Sequence, residues 1–519
     1  MVHCALNPRI IKDAFRAQYF LSSLNREIEN LESKLKKENF FSNSSKNFLN
    51  SYFETIAHEL DQVLLPTIVY EINKAKSEGK LFGNCPQDRY ESFFVDGIKY
   101  TETALSIISN YPFLFEVIDS FITMMCQALL KSILRFKESQ INLFKWLKIP
   151  LSVKIKEISP LNGSDRHFSQ QSLLYILSDD TKIIYKPVDL HPNILLNKYI
   201  EILDLKYPYD LQKFETLSMG EYGWTKYIEH EPCENLEDIS NFYRRAGTLL
   251  SIADSLNYTD GHCENFIAKG SFPILIDCET LFQNFDDSVL KHKNILTTGM
   301  IQKITDCNET HFLNSLFQAP VGLKHDYLNP HAIYDHTDEI ELRYQKTNFS
   351  PQHHYPYFKG KPYAAHEYIP YIKEGYCHGY KLISANVNNI LNDQKWWSEL
   401  ENIKIRVVLR DTLSYLYLVR KTQQPESMRS KKLAETIILN KLGSTPYSSY
   451  ETKELLSLNI PYFFYYPNAK DLYDGHGHQY SNVFSETGVL RLRHQFLQRS
   501  NEKMQFDCKI LQKHLVPYL

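Results

Sequence analysis

The first part of the chain repeats apolar residues with the period of α-helices. Apolar positions recur at helical spacing within residues 64–72, and Gly79 follows as a helix stop. A second apolar run, at residues 121–134, predicts a buried helix. No grouping of chemically reactive residue types accompanies these patterns. We therefore predict a helical N-terminal extension over residues 1–150.

From about Leu151 the apolar period shortens to that of β-strands. The segment 153–161, VKIKEISPL, alternates apolar and polar residues, and 172–189, SLLYILSDDTKIIYKPVD, predicts two strands joined by a Ser-Asp-Asp turn. The segment 219–233, MGEYGWTKYIEHEPC, predicts another strand followed by an acidic, proline-containing hinge. Together these patterns predict a twisted antiparallel sheet.

Lys186 stands at the end of one of these predicted strands, after three large residues and before a proline. A lysine there is costly to bury unless a phosphate or a carboxylate meets it. One interpretation is a lysine that binds the α- and β-phosphates of a nucleotide. The other is an edge-strand lysine that faces water. The strand alone leaves both interpretations open.

An amphipathic helix over residues 241–255 leads into the segment 257–282, NYTDGHCENFIAKGSFPILIDCETLF. Asp260, His262 and Asn265 form the pattern D-x-H-x-x-N. After a turn rich in Gly and Pro, an apolar strand ends in Asp277 and Glu279. The segment therefore predicts a polar loop followed by a strand that ends in two acids.

Phosphoryl transfer needs an acid that orients or deprotonates the attacking hydroxyl, and oxygen ligands that hold Mg²⁺ on the phosphates. Asp260 fits the first role, and Asn265 with Asp277 fits the second. The alternative is structural: the His and the Asn cap a loop, and Asp277 caps a helix that begins before Glu279.

Composition narrows the class of protein. The 519 residues carry a net charge of −3, so nucleic-acid binding has no electrostatic support. Nine cysteines without C-x-x-C spacing favour reduced thiols over a disulfide framework. We expect no membrane span, because no run reaches the ~18 apolar residues that one requires. The N-terminus also lacks a signal-peptide pattern, so we expect a cytoplasmic protein.

Five separate segments, taken together and in order, resemble the dehydratase domain of class II lanthipeptide synthetases, the LanM family. They are LPTIVYEINKAKSEGKL, SDDTKIIYKP, EYGWTKYIEHEPC, FYRRAGTLLSIADSLNYTDGHCENFIA and PILIDCETLF. The resemblance implies an α+β, lipid-kinase-like fold with two lobes. We expect a small mixed lobe with an antiparallel sheet over residues 151–235 and a largely helical large lobe over residues 236–519.

The resemblance also implies an activity: ATP-dependent phosphorylation of Ser and Thr in a ribosomal precursor peptide, made of a leader and a core. Elimination of the phosphate then leaves dehydroalanine or dehydrobutyrine. The implied cofactors are ATP/ADP and Mg²⁺.

By resemblance, the functional residues fall into three sets. Lys186 corresponds to the phosphate-binding lysine, and Asp260, His262 and Asn265 correspond to the catalytic loop. Asp277 and Glu279 correspond to the acids of D-x-E-T, and we expect Glu279 to bind the nucleotide cofactor. The residues implied in elimination are Asp165, His167, Arg406 and Thr412. One departure is visible, because Gln170 and Gln171 stand where members usually have Gly-Arg.

Elimination has its own chemical requirements. Removing the α-carbon proton calls for a base and for stabilisation of the enolate that develops, and the departing phosphate favours cations and hydroxyl donors. Arg406 offers a planar fork, Thr412 a hydroxyl, and His167 with Asp165 a base or an orienting group. The alternative for Arg406 is a strand arginine paired at the surface, and for Thr412 an ordinary β-branched strand residue.

The segment 490–515 predicts one closing amphipathic helix. In most family members a zinc-dependent cyclase domain follows, and the tripeptide Cys377-His378-Gly379 is similar to its zinc tripeptide. A partner segment at a suitable distance upstream is missing, so we expect no zinc and a cyclase that is separate or not needed.

Three hypotheses about function remain. The first is a stand-alone dehydratase. The second is a peptide Ser/Thr kinase that stops at the phosphate ester, which only the altered Gln170-Gln171 loop favours. The third is an inactive, kinase-like scaffold that binds the precursor peptide. The presence of the complete set of expected residues argues against it, namely Lys186, Asp260, Asn265 and Asp277.

Overall fold

The computed structural model describes residues 21–35, 50–95, 107, 109–161, 166–167, 170–285, 287–302, 315–317, 324–348 and 353–515. The chain divides into two compact units. The first unit takes its described residues from Met1–Pro187, Leu328–Gln345 and Arg410–Pro461. The second unit takes them from Val188–Tyr327, Lys346–Leu409 and Tyr462–Leu519. Helices are mixed with small antiparallel sheets, which confirms the α+β class.

The described helices and strands are as follows, in chain order. The helices are α1 (Leu21–Leu35), α2 (Asn50–Ser77), α3 (Pro86–Val95), α4 (Pro112–Leu147), α5 (His191–Leu203), α6 (Leu236–Ser255), α7 (Asp287–Leu290), α8 (Ile369–Ala385), α9 (Val387–Asn392), α10 (Gln394–Glu401), α11 (Thr412–Thr422), α12 (Pro425–Met428), α13 (Lys431–Leu442), α14 (Ser448–Leu456), α15 (Gly488–Leu497) and α16 (Asn501–His514). The strands are β1 (Ile155–Pro160), β2 (Leu173–Leu177), β3 (Lys182–Lys186), β4 (Thr216–Ser218), β5 (Gly223–Lys226), β6 (Phe266–Lys269), β7 (Phe272–Leu275), β8 (Lys324–Ile333), β9 (Glu341–Asn348), β10 (Tyr357–Phe358), β11 (Lys361–Pro362), β12 (Ile405–Val407), β13 (Phe463–Tyr465), β14 (Leu472–Asp474) and β15 (Gln479–Tyr480).

In the first unit, strands β1, β2 and β3 form an antiparallel meander that packs on α4. Tyr175 of β2 is buried: its hydroxyl lies 2.8 Å from the Ser132 hydroxyl, and its ring stacks on Phe136 at 5.6 Å between centroids. The predicted turn between β2 and β3 is confirmed, and Asp180 adopts a left-handed conformation there with φ 64°.

Helix α4 bears on the expectation that the chain has no membrane span. It contains an 18-residue stretch with a mean hydropathy of 1.6, which is long and apolar enough to cross a membrane by length and composition alone. Of that stretch, 56% is buried inside the structure, and the core helix of a globular unit meets the same criteria. This one helix is therefore weak evidence for a membrane span.

In the second unit, helices α6 and α8 cross at very short range because glycines line the crossing. A β-carbon on Gly247 would overlap the carbonyl oxygen of Ile372, and one on Gly375 would overlap that of Arg244. The Thr248 hydroxyl donates to the Gly375 carbonyl oxygen at 3.2 Å. This packing fixes α6, the helix that leads into the D-x-H-x-x-N segment.

Two further sheets of the second unit carry residues of interest. Strands β6 and β7 form a hairpin whose turn places Gly270 at φ 54°, as the Gly- and Pro-rich sequence predicts. Strands β12 to β15 form an antiparallel sheet in chain order, in which Arg406 of β12 pairs with Phe464 of β13.

The single closing helix expected over residues 490–515 is wrong. The segment forms two helices, α15 and α16, because Ser500 takes an extended conformation and its hydroxyl accepts the Lys503 N–H at 3.2 Å. A serine in this position is a strong N-cap, so it begins a new helix and interrupts the apolar period.

Candidate active site

A buried phenol ties the loop that carries Asp260 to the segment after β7 that carries Asp277. Strand β7 ends at Leu275, so Asp277 follows the strand by two residues. The Tyr258 hydroxyl donates to the Asp260 carbonyl oxygen at 2.6 Å and to the Asp277 carbonyl oxygen at 3.1 Å. Burial raises the pKa of Tyr258 well above its usual value, and the charges of both aspartates raise it further. Tyr258 therefore stays protonated and donates to both segments.

Asp260 and Asn265 are direct neighbours. The Asn265 Nδ2 donates to the Asp260 carbonyl oxygen at 2.9 Å and to the Asp260 carboxylate at 3.1 Å. The Asn265 carbonyl oxygen in turn accepts the Ile276 N–H at 2.9 Å, immediately before Asp277. The loop acid and the predicted metal ligands thus belong to one hydrogen-bonded assembly.

The structural alternative accounts for part of this segment. His262 Nδ1 accepts the Glu264 N–H at 3.4 Å and so caps the short 3-10 helix Cys263–Asn265. One Asp277 carboxylate oxygen accepts the Glu279 N–H at 3.2 Å. Residues 279–282 form a turn, so Asp277 does not cap a helix. The capping interpretation therefore holds for His262 and not for Asp277.

Gly261, between the acid and the histidine, is held by close backbone contacts. Its N–H donates to the Thr298 carbonyl oxygen at 2.8 Å, and its carbonyl oxygen accepts the Leu316 N–H at 3.1 Å. A β-carbon at this position would overlap the backbone nitrogen of Met300. The loop conformation therefore depends on a residue without a side chain.

Arg406 forms a buried ion pair with Glu279. Its guanidinium donates to a Glu279 carboxylate oxygen, and its backbone N–H donates to the Glu279 carbonyl oxygen at 3.0 Å. The two side chains are 8% and 12% exposed, so the alternative of a surface-paired arginine is wrong. A planar guanidinium with five N–H donors is chemically suited to binding a phosphate or a carboxylate.

Tyr462 is an active-site neighbour that the sequence did not indicate. It precedes β13 by one residue and is two positions from Phe464, the partner of Arg406, so strand alternation places Tyr462 and Arg406 on one face. Burial raises the pKa of Tyr462, the charges of Glu279 and Asp277 add to that effect, and Arg406 opposes it.

Two predicted residues lie in the first unit on regular elements. Lys186 ends β3 and is only 7% exposed, so the alternative of a water-facing lysine is wrong. Thr412 is the first residue of α11, so the alternative of a strand residue is also wrong. Asp411 caps that helix by accepting the N–H groups of Leu413 and Ser414 at 3.0 and 3.3 Å.

His167 also lies in the first unit and is buried. Its Nδ1 lies 3.0 Å from the Ile460 carbonyl oxygen, and its backbone forms an antiparallel bridge with Gln170. The Gln170 side chain accepts a hydrogen bond from Arg135 at 3.1 Å, so a guanidinium from α4 reaches this loop. Asp165 lies outside the described residues.

The donor set of the loop fits Mg²⁺. Asp260, Asn265 and Asp277 offer carboxylate and amide oxygens, the ligands that this cation prefers. Because Asn265 directs its Nδ2 at Asp260, its Oδ1 is the atom left for a cation.

The side chains of Cys377 and His378 contact other residues of the second unit. Cys377 Sγ lies 3.2 Å from Cys508 Sγ, and His378 stacks on Tyr209 with 3.8 Å between ring centroids. In the described ranges, no three or more His, Cys, Asp or Glu side chains are grouped so as to hold a metal ion.

The predicted residues therefore divide between the two units. The second unit brings together Asp260, His262, Asn265, Asp277, Glu279 and Arg406, and the first unit holds Lys186, His167 and Thr412. The unit boundary at Pro187 falls inside the predicted segment 151–235, and the lobe assignment remains a prediction.

Tyr258 had no sequence signal, because its role depends on contacts with backbone carbonyl groups that any residue could supply.

Two comparisons with known proteins bear on this arrangement. A family model described as a domain of unknown function (DUF4135) matches residues 111–466. The lacticin 481/lactococcin biosynthesis protein LcnDR2 of Lactococcus lactis subsp. lactis is 25% identical over 468 residues. The match covers 82% of this chain and 49% of that protein, so the chain spans about half the length of this relative. The resemblance to class II lanthipeptide synthetases is thereby confirmed.

Proposed function

Because the chain belongs to the DUF4135 family, we propose that it is a lanthipeptide-type dehydratase with a lipid-kinase-like, two-lobed fold. Its substrate is a ribosomal precursor peptide, in which it phosphorylates Ser and Thr with ATP and then eliminates the phosphate. The observation that carries the proposal is the bonded assembly of Asp260, Asn265 and the Asp277 segment, joined through Tyr258.

In the phosphorylation step, the Asp260 carboxylate orients the peptide hydroxyl and accepts its proton. The Asn265 amide donates to that carboxylate and fixes its direction. Asn265 and Asp277 would hold Mg²⁺, which neutralises charge on the phosphates when bound. Lys186 binds the α- and β-phosphates of the nucleotide. His262 shapes the loop as the cap of its 3-10 helix.

In the elimination step, the bond between the peptide's α-carbon and its hydrogen breaks, a carbon–carbon double bond forms, and the β-carbon–oxygen bond breaks. The proton goes to a base, for which we propose His167, oriented by Asp165, and the electron pair leaves with the phosphate. Arg406 stabilises the departing phosphate through its guanidinium, and Thr412 contributes a hydroxyl donor.

In this proposal Glu279 does not bind the nucleotide directly, as the sequence led us to expect, but positions Arg406. Its carboxylate pairs with Arg406, so it links the Asp277 segment to the phosphate-binding cation. Phosphorylation and elimination then share one connected group of side chains. A peptide kinase without elimination remains the second candidate, because Gln170 and Gln171 replace the usual Gly-Arg pair.

The test is to incubate the protein with ATP, Mg²⁺ and the precursor peptide encoded nearest its gene, and then to weigh the peptide. Loss of water from Ser or Thr is the expected result. Gain of phosphate without loss of water would favour the kinase, and an unchanged peptide would favour the scaffold. The Asp260→Asn variant is the control, and we expect it to leave the peptide unmodified.

A further inference from the structure

Lys293 reaches the point where α6 ends and the catalytic loop begins. Its ammonium donates to the side-chain oxygen of Asn257 and to the backbone carbonyl oxygen of Asp254, the latter at 3.3 Å. Asn257 is 2% exposed and adopts φ 56°, three residues before Asp260. Lys293 therefore holds both the last turn of the helix and the first turn of the loop.

A chain of buried hydrogen bonds continues from Asn257 to Arg406. The Asn257 Nδ2 donates to the Gln283 carbonyl oxygen at 3.0 Å, and the Gln283 N–H donates to the Asn257 carbonyl oxygen at 3.3 Å. The Gln283 side-chain amide donates to the Arg406 carbonyl oxygen. Gln283 lies three residues after Thr280, the last residue of D-x-E-T, so these hydrogen bonds join the start of the loop, the segment after D-x-E-T and β12.

We propose that Lys293 is a positioning residue: through Asn257 and Gln283 it holds the Asp260 loop, the Asp277–Glu279 segment and Arg406 in their working arrangement. The rate measurements that test this inference rest on the proposed function, whereas the hydrogen-exchange test does not. Lys293 touches none of the reacting groups, and its effect passes through the backbone of the segments that carry them.

The surroundings of Lys293 contain charges of both signs. Asp254 on α6 is 1% exposed, and neither of its carboxylate oxygens has a hydrogen-bond partner among the described residues. Burial alone would raise the pKa of Asp254, but Lys293, Lys503 and Arg499 together hold it below its usual value. Asp507 on α16 accepts a hydrogen bond from Lys503 at 3.0 Å and completes the cluster.

The same surroundings set the pH at which Lys293 loses its charge. Burial lowers the pKa of Lys293 to about 8, Lys503 and Arg499 lower it further, and Asp254 and Asp507 oppose the change. As the pH rises through about 8, the ammonium becomes an amine and its hydrogen bonds to the loop weaken. We therefore expect the rate to fall in that range.

Global stability should move in the opposite direction. Above pH 8 the folded chain has released this proton, whereas the unfolded chain retains it up to the ordinary pKa of lysine, about 10.4. The unfolded state then binds more protons, so this group adds to stability as the pH rises. A lysine that served stability alone would not lower the rate in the same window.

The kinetic test compares Lys293→Met with Lys291→Met, which removes an exposed lysine two residues earlier. We expect Lys293→Met to lower the kcat of phosphorylation by about 10- to 100-fold, because small displacements of a catalytic group cost this much. The KM for ATP should stay within about threefold, since ground-state binding is not removed. Lys293→Arg keeps the charge and should move the alkaline fall in rate to higher pH. Equal kcat for the two methionine variants, or an unchanged alkaline fall in Lys293→Arg, would overturn the proposal.

A second test does not depend on activity. Amide hydrogen exchange over residues 257–265 and 277–283 should be faster in Lys293→Met than in Lys291→Met. Asn257→Gly keeps the left-handed backbone conformation accessible and removes the side chain that joins Lys293 to Gln283. We expect it to give the same increase, and the double variant to give no more than either single one. Unchanged exchange, or additive increases, would contradict the proposal. A wild-type protein inactive on peptide with the expected exchange pattern would refute the proposed function and leave this inference standing.

Discussion

The catalytic loop of the second unit and the His167 segment of the first unit are built differently. In the loop the proposed functional side chains bond to one another, as Asp260 does to Asn265 and Glu279 to Arg406. By contrast, His167 lies against the Ile460 carbonyl oxygen and bridges through its backbone to Gln170, whose side chain accepts a hydrogen bond from Arg135. Under the proposed function, phosphorylation relies on the connected group, whereas elimination adds residues from separate segments. Arg406 belongs to both sets of residues: it is bonded into the connected group of the loop, and it is also proposed to bind the phosphate that leaves during elimination.

The largest effect should come from the connected group. We expect Asp277→Asn to lower phosphorylation and dehydration together by at least about 10³-fold, because the phosphoryl group loses its main charge compensation. Mass spectrometry of the precursor peptide measures both products in one experiment. Glu264→Gln is the matched control, since it removes an exposed acid from the same loop and should leave the rates unchanged. Dehydration by Asp277→Asn at a near wild-type rate would remove Asp277 from this role.

The next effect should separate the two steps. We expect Arg406→Ala to leave phosphorylation largely intact and to slow elimination by roughly 10²–10³-fold, so that phosphorylated peptide accumulates. Only unmodified peptide from a folded variant would place Arg406 in nucleotide binding or architecture instead. Normal dehydration would leave Arg406 without a catalytic role.

The buried pair with Glu279 complicates that variant. Removing Arg406 alone takes the guanidinium away from the Glu279 carboxylate, and breaking a buried ion pair in this way typically costs about 3–5 kcal/mol of stability. The double variant Arg406→Gln with Glu279→Gln removes both charges, so we expect it to unfold at a higher temperature than Arg406→Ala. Elimination should be equally slow in the two proteins. Rates that recover with stability would show that Arg406 acts through the fold.

A smaller effect should follow from crowding the loop. In Gly261→Ala the added methyl group would overlap the Met300 backbone, so the loop must shift, and we expect phosphorylation to fall by about 10- to 100-fold. Gly270→Ala is the control, because its β-carbon would meet only the Pro232 carbonyl oxygen at 3.6 Å. The left-handed backbone at residue 270 should cost the control about 1 kcal/mol of stability, but its phosphorylation rate should be unchanged. Similar rates for both variants would indicate that loop position does not limit catalysis.

The smallest effect should come from the cysteine tripeptide. We expect Cys377→Ser to leave both steps unchanged and the purified protein to carry no stoichiometric zinc. The hydrogen bond with Cys508 lowers the pKa of Cys377 to about 7, so alkylation of this thiol can be followed near neutral pH. One tightly held zinc per chain by elemental analysis would contradict this expectation.

Local patterns predicted the elements of the loop region well. The turn before β7, the strand β7 itself, the helix α6 and the strand pair β2–β3 follow from short-range periodicity and turn residues, whereas strand β6 was not predicted. The hydrogen bond between Asp260 and Asn265 joins residues only five positions apart, so a short sequence motif can indicate it.

The supporting contacts could not be predicted, because their partners are remote in sequence and chemically ordinary. Gln283 bonds to Arg406 across 123 residues, and both atoms involved are generic amide groups. The burial of Lys186 depends on packing that a strand pattern does not contain. The break before α16 was missed because the apolar period continues through Ser500, although its capping character was visible.

The most direct test of the account supplies the intermediate itself. Precursor peptide that already carries phosphoserine is mixed with the protein, ADP and Mg²⁺, without ATP, and the peptide is weighed over time. The account predicts that the wild-type protein converts phosphoserine to dehydroalanine and that the Arg406→Gln, Glu279→Gln double variant does not. A phosphopeptide that persists unchanged with active, folded wild-type protein would contradict the claim that this chain performs elimination.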